Sequence, residues 1–358
     1  MTAEPPAPST PSATRLMRAR AQGIGSGRRG RSVAEVMARA FAVQAQDAAA
    51  AALGIRARST GLTVADVVRA TDVERRVVRN WFMRGTLHLV PAADVRWLTS
   101  LLGPVFLRQS ARRYRELGLG EDDLLRGEQV ITTALRGGPA PRAELSARLA
   151  AAGFATGGQV AIHLLRRCAL LGLICHGPAV GGEPSFVLLD DWLGSAGAPE
   201  VTPRDATAEL VRRYLAAHGP ASPEDFATWS GLPPSAARRV WPEAEAGAYG
   251  AEAEPAEAVG DVRLLPAYDD YLVAYRTRAL SVPPGYERLV HPGGGQVRAT
   301  VTVDGLACGT WSRRAGRPVT LALFESFESL EPFGASAARV RAGIAAEEAD
   351  VPRFLGEG

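Results

Sequence analysis

The 358-residue chain contains no lysine: all 41 basic residues are arginine. No side-chain amine exists to form a Schiff base with a sugar or carbonyl, so lyase chemistry through lysine is excluded. Asparagine is almost absent too, and with the load of Ala, Gly and Pro this reads as codon bias of a GC-rich genome. Cysteine is scarce. Cys168, Cys175 and Cys308 are odd in number and lack any C-x-x-C spacing, which fits reduced core thiols in a cytoplasm rather than a disulfide frame. The five histidines, His88, His163, His176, His218 and His291, have no second His or Cys at ligand spacing, so neither a metal nor another cofactor is expected. No apolar run approaches the roughly 18 residues of a membrane span. Met1 to Thr14, rich in Pro, Ser, Ala and Thr, lacks the charged start and apolar stretch of a signal peptide and reads as disordered. Heptads are missing as well, and a monomer is expected.

The charge that is present is unevenly spread. Net charge is +3, yet the segment through Arg31 holds Arg15, Arg18, Arg20, Arg28, Arg29 and Arg31 against Glu4, leaving the rest slightly negative. Any anion-binding face on the folded part must therefore arise by segregating Arg locally. Residues 1–30 are expected to form a disordered basic tail that adds salt-dependent, non-specific affinity for nucleic acid.

From there the rhythm is helical, then β. Ser32 caps a helix on Val33, Val36, Met37, Ala40 and Phe41. Helices follow from Thr63 and from Thr71-Asp72, then a strand-like run from Asn80 to Val90 broken at Gly85, and a helix from Asp94. The same order recurs with helices at 127–135, 141–151 and 159–171 and strands at 173–176 and 185–189 around a Gly-rich loop. A third copy has helices at 206–217, 223–229 and 234–241, followed by an acidic, mobile connector from Glu243 to Glu257. Strands at 262–265, 296–303, 306–311 and 319–324, an Asp304-Gly305 hairpin turn and a helix capped by Ser336 close the chain. The expected class is α+β: tandem winged-helix units at 31–125, 126–200 and 201–260, joined to a β-rich part at 261–358.

Against this background Gln44-Ala45-Gln46 stands out, two primary amides in an otherwise apolar segment. Amides do not titrate and are not nucleophiles, so chemistry here would mean orienting water or a leaving group. On a helix residues two apart diverge by roughly 200°, so the pair converges only if the backbone leaves the helix. Asp269, in the cluster Tyr268-Asp269-Asp270-Tyr271, and His88 are candidates to assist, each with an equally ready structural role. Arg166 and Arg167, and Arg238 and Arg239, fall on the third helix of their units, where phosphate contact is natural. Arg298, Arg313 and Arg314 lie around the C-terminal hairpin, which would enter a groove or guard a sheet edge.

The run Trp81-Phe82-Met83-Arg84-Gly85-Thr86-Leu87-His88-Leu89, the segment Leu264-Leu265-Pro266-Ala267-Tyr268-Asp269-Asp270-Tyr271-Leu272 and the ending Gly309-Thr310-Trp311 together resemble the AlkZ/YcaQ family of winged-helix DNA glycosylases, from about Arg31 onward and in the right order. The resemblance implies tandem winged helices and a β-rich part forming a concave surface around duplex DNA. It implies catalysis by a Gln, apolar, Gln motif, here Gln44 and Gln46, and DNA contact by Arg84 and the arginines above. The expected activity is monofunctional removal of N7-alkylated purines and unhooking of interstrand crosslinks, in repair and in self-resistance to an alkylating antibiotic. The substrate would be double-stranded DNA in the cytoplasm. A non-enzymatic winged-helix regulator is the rival, and it leaves the glutamine pair and the long β part without a purpose.

Overall fold

A computed structural model describes residues 10–25, 27, 29–155, 159–194, 202–248, 258–325 and 337–357. The mixed α+β class expected from sequence holds. Helix α1 (Pro11–Ala21) is followed by α2 (Val33–Ala40), β1 (Val43–Gln44), α3 (Ala48–Ala57), α4 (Val64–Val68), β2 (Val77–Trp81) and β3 (Leu87–Pro91). The next elements are α5 (Val95–Glu116), α6 (Glu121–Leu135), β4 (Ala140–Pro141), α7 (Arg142–Ala151), α8 (Val160–Leu170), β5 (Ile174–Val180), β6 (Glu183–Leu188) and α9 (Leu189–Leu193). Three helices, α10 (Pro203–His218), α11 (Pro223–Ser230) and α12 (Pro234–Ala248), lead to β7 (Val262–Leu265), α13 (Asp270–Val273), α14 (Glu287–Val290), β8 (Thr300–Val303), β9 (Leu306–Ser312), β10 (Thr320–Leu323) and α15 (Ala337–Leu355).

Two stretches repeat one plan. In 33–91 and again in 121–188 a helix precedes a two-residue strand, two helices and a hairpin, and the sheets have the same order, β1-β3-β2 and β4-β6-β5. In each, the short first strand pairs antiparallel with the last. The helix expected from Thr71 does not form. A single π turn over Arg69–Val73 ends α4, and the β-branched Val77 and Val78 start β2 instead, so Arg79 lies on a strand. The third set of helices has no described strand of its own, and α12 runs through the start of the expected connector.

In the C-terminal sheet, β10-β9-β8-β7, strands β7 and β8 are buried on both faces, whereas the edge strand β10 is partly exposed. Val301 and Val303 face one side and Thr300 and Thr302 the other, all of them fully buried, so the polar-apolar alternation in the sequence does not mark a wet face. Valines and Trp311 pack on Val340, Ile344 and Val351 of α15. Arg56, 1 % exposed, ties α3 to this layer by donating to Glu347 at 2.8 Å, Asp350 at 3.0 Å and the Leu264 carbonyl at 2.8 Å. The Asp304-Gly305 turn is buried as well. Asp304 accepts from the backbone of Val259, Gly260 and Asp261, and a Cβ on Gly305 would fall 2.5 Å from the Tyr271 hydroxyl and 2.8 Å from Ala19. The tip of that hairpin points inward, not toward a groove.

The expected disordered tail is corrected over its second half. Pro11–Ala21 is a helix capped by Thr10, and it docks. Arg18 donates to Asp225 at 3.2 Å and to the Pro220 carbonyl at 2.7 Å and lies 3.9 Å over the Tyr275 ring. Gln22, fully buried, donates to the Ala217 carbonyl at 2.9 Å. Those polar partners sit on the third helix set and in the β part, which is why the local composition of the segment gave no sign of them. Residues 1–9 and Ser336 lie outside the described residues.

Candidate active site

Ser32 accepts from Glu35 N–H at 3.1 Å and starts α2 as expected, but the helix stops abruptly at Phe41. Phe41 has φ 61° and ψ −53°, a costly conformation for an aromatic residue, on the order of 1–3 kcal/mol. Its ring supplies the compensation. It is 1 % exposed, stacked on Trp97 with centroids 6.3 Å apart, tilted against Trp229 and covered by the Arg213 guanidinium at 5.2 Å. Burying such a side chain is worth about 3 kcal/mol, enough to hold the kink. The chain then runs extended: Val43 pairs with Leu89, Gln44 with His88, and Ala45 N–H donates to the Leu87 carbonyl at 2.7 Å. Asp47 accepts from Ala50 N–H at 3.0 Å and starts α3.

Gln44 therefore ends a short extended strand and Gln46 follows in a bend before α3, so neither amide lies on a helix. The departure from helix that a converging pair requires is present. Gln44 is half-buried and Gln46 exposed. Ala45 turns to the opposite face, toward an apolar cavity of about 320 Å³ lined by Ala48, Ala52, Val64, Val68 and Leu89, so that cavity lies behind the amides.

Three groups fix Gln44. Arg84, itself at φ 56°, donates one guanidinium nitrogen to Gln44 Oε1 and the other to the Trp229 carbonyl at 2.7 Å. Its backbone is pressed against Gly231, the left-handed end of α11, where a Cβ would come within 3.0 Å of Arg84 Cα. Because guanidinium only donates, the amide oxygen is committed to Arg84 and the amide nitrogen is left to donate elsewhere. On the main chain, Gln44 N–H donates to Asp270 Oδ2 at 2.7 Å across the open edge of β1. Beside it in the sheet lies His88, with Asn80 one strand further, both fully buried.

His88 Nδ1 donates to the Thr86 carbonyl at 3.1 Å. Burial and the nearby Arg84 push its pKa down to about 3, so the ring is neutral and Nε2 is a lone-pair acceptor without a partner. Asp269 sits in a hydrogen-bonded corner, the structural alternative to assisting water. Both its oxygens accept from Arg58, at 2.7 and 2.8 Å, and Oδ1 also caps α13 through Tyr271 N–H at 3.0 Å. Arg58 in turn donates to Gln22 Oε1 at 2.6 Å, which joins α1 to this corner. Asp270, which sequence reasoning passed over, is the carboxylate that touches the motif. Burial, with Asp269 beside it, pushes its pKa up to about 6 against the opposing charges of Arg84 and Arg58.

Backbone strain marks the same place. Among the described residues Phe41, Arg84 and Tyr268, three of the five non-glycine positions with positive φ, bracket Gln44 and Asp270.

The expected DNA-contacting arginines divide. Arg84 is half-buried, in the site. Arg166 donates to Ser110 Oγ at 3.0 Å and lies over Gly85, and Arg167 pairs with Glu128 at 2.5 Å, so both have partners within the protein. Arg313 pairs with Glu357. Arg238 is exposed and paired with Glu224, whereas Arg239, Arg298 and Arg314 are exposed on the surface. The three cysteines are free and buried, their thiols pushed up to about 12. Among the described residues no group of three or more His, Cys, Asp or Glu could hold a metal ion, and no helix is long and apolar enough to cross a membrane.

Comparison with known proteins agrees with this picture. A family model described as "DNA glycosylase AlkZ-like" matches residues 37–354. The chain is 26% identical over 306 residues to the interstrand DNA cross-link repair glycosylase of Streptomyces sahachiroi, covering 78% of this chain and 82% of that protein. The solved structure of the Streptomyces sahachiroi DNA glycosylase AlkZ superposes with a TM-score of 0.73 at 22% identity, over 93% of this chain and 97% of that one, and so shares the fold. The chain belongs to the AlkZ-like DNA glycosylase family and is an enzyme acting on the N-glycosyl bonds of DNA.

Proposed function

We propose that this enzyme hydrolyses the N-glycosidic bond of N7-alkylated guanine and other purines in duplex DNA, and that it unhooks interstrand crosslinks built on such adducts. The observation that carries the reading is the placement of Gln44 and Gln46 on a kinked, non-helical segment between α2 and α3, with the Gln44 amide oriented by Arg84 and its backbone held by Asp270. Alkylation at N7 puts a positive charge on the base and weakens the bond to C1′. Two amides, that of Gln44 already oriented by Arg84, that hold a water and offset charge on an oxocarbenium-like sugar then suffice. No cofactor and no amine nucleophile enters such a reaction.

The relative in Streptomyces sahachiroi, named for interstrand cross-link repair, supports extending the substrate to crosslinks and the role to self-resistance against a DNA-alkylating antibiotic. We read the two stretches of common topology as winged-helix units and α10 to α12 as a third. Together with the β part they would form a concave face on DNA, with Arg238, Arg239, Arg298 and Arg314 on phosphates. The protein would act as a monomer on chromosomal DNA. A crosslinked base cannot swing out of the stack, so the lesion would be approached from a groove rather than by the usual flipping.

The test is release of free base from a duplex carrying one defined N7-alkylguanine, comparing wild type with Gln44→Ala and Gln46→Ala. Release that drops sharply in both variants while DNA binding persists is expected. Wild-type protein that binds the duplex yet frees no base from mono-adduct or crosslink would sink the reading.

A further inference from the structure

Hydrolysis of a glycosidic bond leaves a proton to be placed, and neither glutamine takes one at neutral pH. The Gln44 amide oxygen is already committed to Arg84. His88 is neutral and its free nitrogen is a weak base at a pKa of about 3. Asp269 is saturated by Arg58. What remains is Asp270, 2 % exposed, with Oδ2 on Gln44 N–H and with Oδ1 lacking any hydrogen bond among the described residues.

A buried carboxylate oxygen without a donor costs about 1–3 kcal/mol or more, and native structures keep such groups for a reason. The neighbouring cations do not quench it. Arg84 gives its nitrogens to Gln44 and Trp229, and Arg58 gives its own to Asp269, Gln22 and the Gly54 carbonyl. The charged groups around Asp270 are thus Arg84, Arg58 and Asp269, with His88 uncharged on the adjacent strand.

We propose that Asp270 is the general base of the glycosylase reaction, accepting through Oδ1 the proton of the water that attacks C1′. The inference rests on the hydrolytic reading above. The water O–H bond breaks toward Oδ1 while its oxygen bonds to C1′. The C1′–N9 bond breaks with its electron pair moving into the cationic base, which leaves neutral. Protonated Asp270 then returns its proton to solvent. A carboxyl with a pKa near 6 is suited to this task, being ionised at neutral pH and yet more basic than an ordinary aspartate.

The experiment is single-turnover release of N7-methylguanine from a duplex between about pH 5 and about pH 8, with wild type and Asp270→Asn. Expected is a wild-type rate that rises through about pH 6 to a plateau. The variant should be about 10²-fold slower on the plateau, with no acidic limb and unchanged duplex affinity. A flat wild-type profile, a variant with the wild-type plateau, or a slower variant that keeps the same limb would each overturn the assignment. Should Asp270→Asn not fold, the wild-type limb and its displacement in Asp270→Glu decide. Wild type that releases no base at any pH condemns the hydrolytic reading itself, whereas release with a flat profile condemns only the base.

Discussion

Two parts of this molecule share a topology and differ in chemistry. Across the first sheet runs the row Gln44, His88, Asn80, and the matching row of the second sheet is Pro141, Ser185, Gly177. In the second row Pro141 has no N–H to offer at the strand edge, and Ser185 closes on the Pro178 carbonyl at 2.6 Å. In and beside the first, the buried atoms Asn80 Oδ1, His88 Nε2 and Asp270 Oδ1 have no partner among the described residues. Polar atoms held dry and unmatched are expensive, and they occur where the backbone is strained as well. The scaffold is therefore indifferent: among the described residues the second unit has unpaired buried nitrogens of its own, on His163 and His176, and what sets the first row apart is the carboxylate of Asp270 on its strand edge where the second row has Pro141.

The comparison can be broken at its largest expected effect by Asp269→Asn. Removing the carboxylate strands Arg58 inside the protein, and unfolding in denaturant should show a loss of about 3–5 kcal/mol. Asp270→Asn should leave stability unchanged or raise it, because it removes a buried charge that has no cation bonded to it. Equal losses for the two neighbours would erase the distinction drawn between them.

Acid should act on both units together. The pKa values of His88, His176 and His218 lie near 3 in the fold and return to about 6.5 on unfolding. Their contribution is intact above about pH 6.5 and is lost as pH falls toward 3, since the unfolded chain binds the protons first. Asp270 has the opposite sign, with a folded pKa of about 6 above the ordinary 3.8 of an aspartate, and offsets part of the loss. Unfolding free energies from denaturant titrations at about pH 7 and about pH 5 should differ by a few kcal/mol, the acid sample being less stable.

Gln44→Ala is expected to slow base release by about 10²- to 10³-fold, the scale of removing one preorganised donor, while Pro141→Ala leaves it within about twofold. Arg84→Lys sharpens the point further. An ammonium cannot reach both Gln44 and Trp229 as the fork does, so release should fall about tenfold with duplex affinity retained. The smallest effect belongs to Arg239→Ala, which should weaken duplex binding a few-fold and lower the salt slope by about one, without altering single-turnover release at saturating enzyme.

Much of this was legible in sequence. Ser32 marked the helix start, and the glutamine pair in an apolar run marked the segment proposed as the site. The kink that takes the two amides off the helix was not legible, because it depends on Phe41 meeting Trp97 and Trp229 from elsewhere in the chain. Of the two adjacent aspartates the sequence offered no means of choosing. Only the position of Arg58 decides which one is neutralised. Arg166 and Arg167 looked like a solvent-facing pair because helical spacing does not disclose Ser110 or Glu128 across the interface. The threonines of β8 misled for a related reason: alternation announces a wet face only where nothing covers it.

The docked N-terminal helix has a consequence for how the molecule is made. Arg18 waits for Asp225, 207 residues later in the chain, and Gln22 must find both Ala217 and Arg58. During synthesis α1 leaves the ribosome before every one of these partners exists. The corner that seats Asp269 can therefore close only when more than half of the protein has emerged. A recombinant version trimmed at Arg31 to remove an apparently idle leader would lose that latch, and would be expected to show a looser corner around Arg58 rather than merely a weaker grip on DNA.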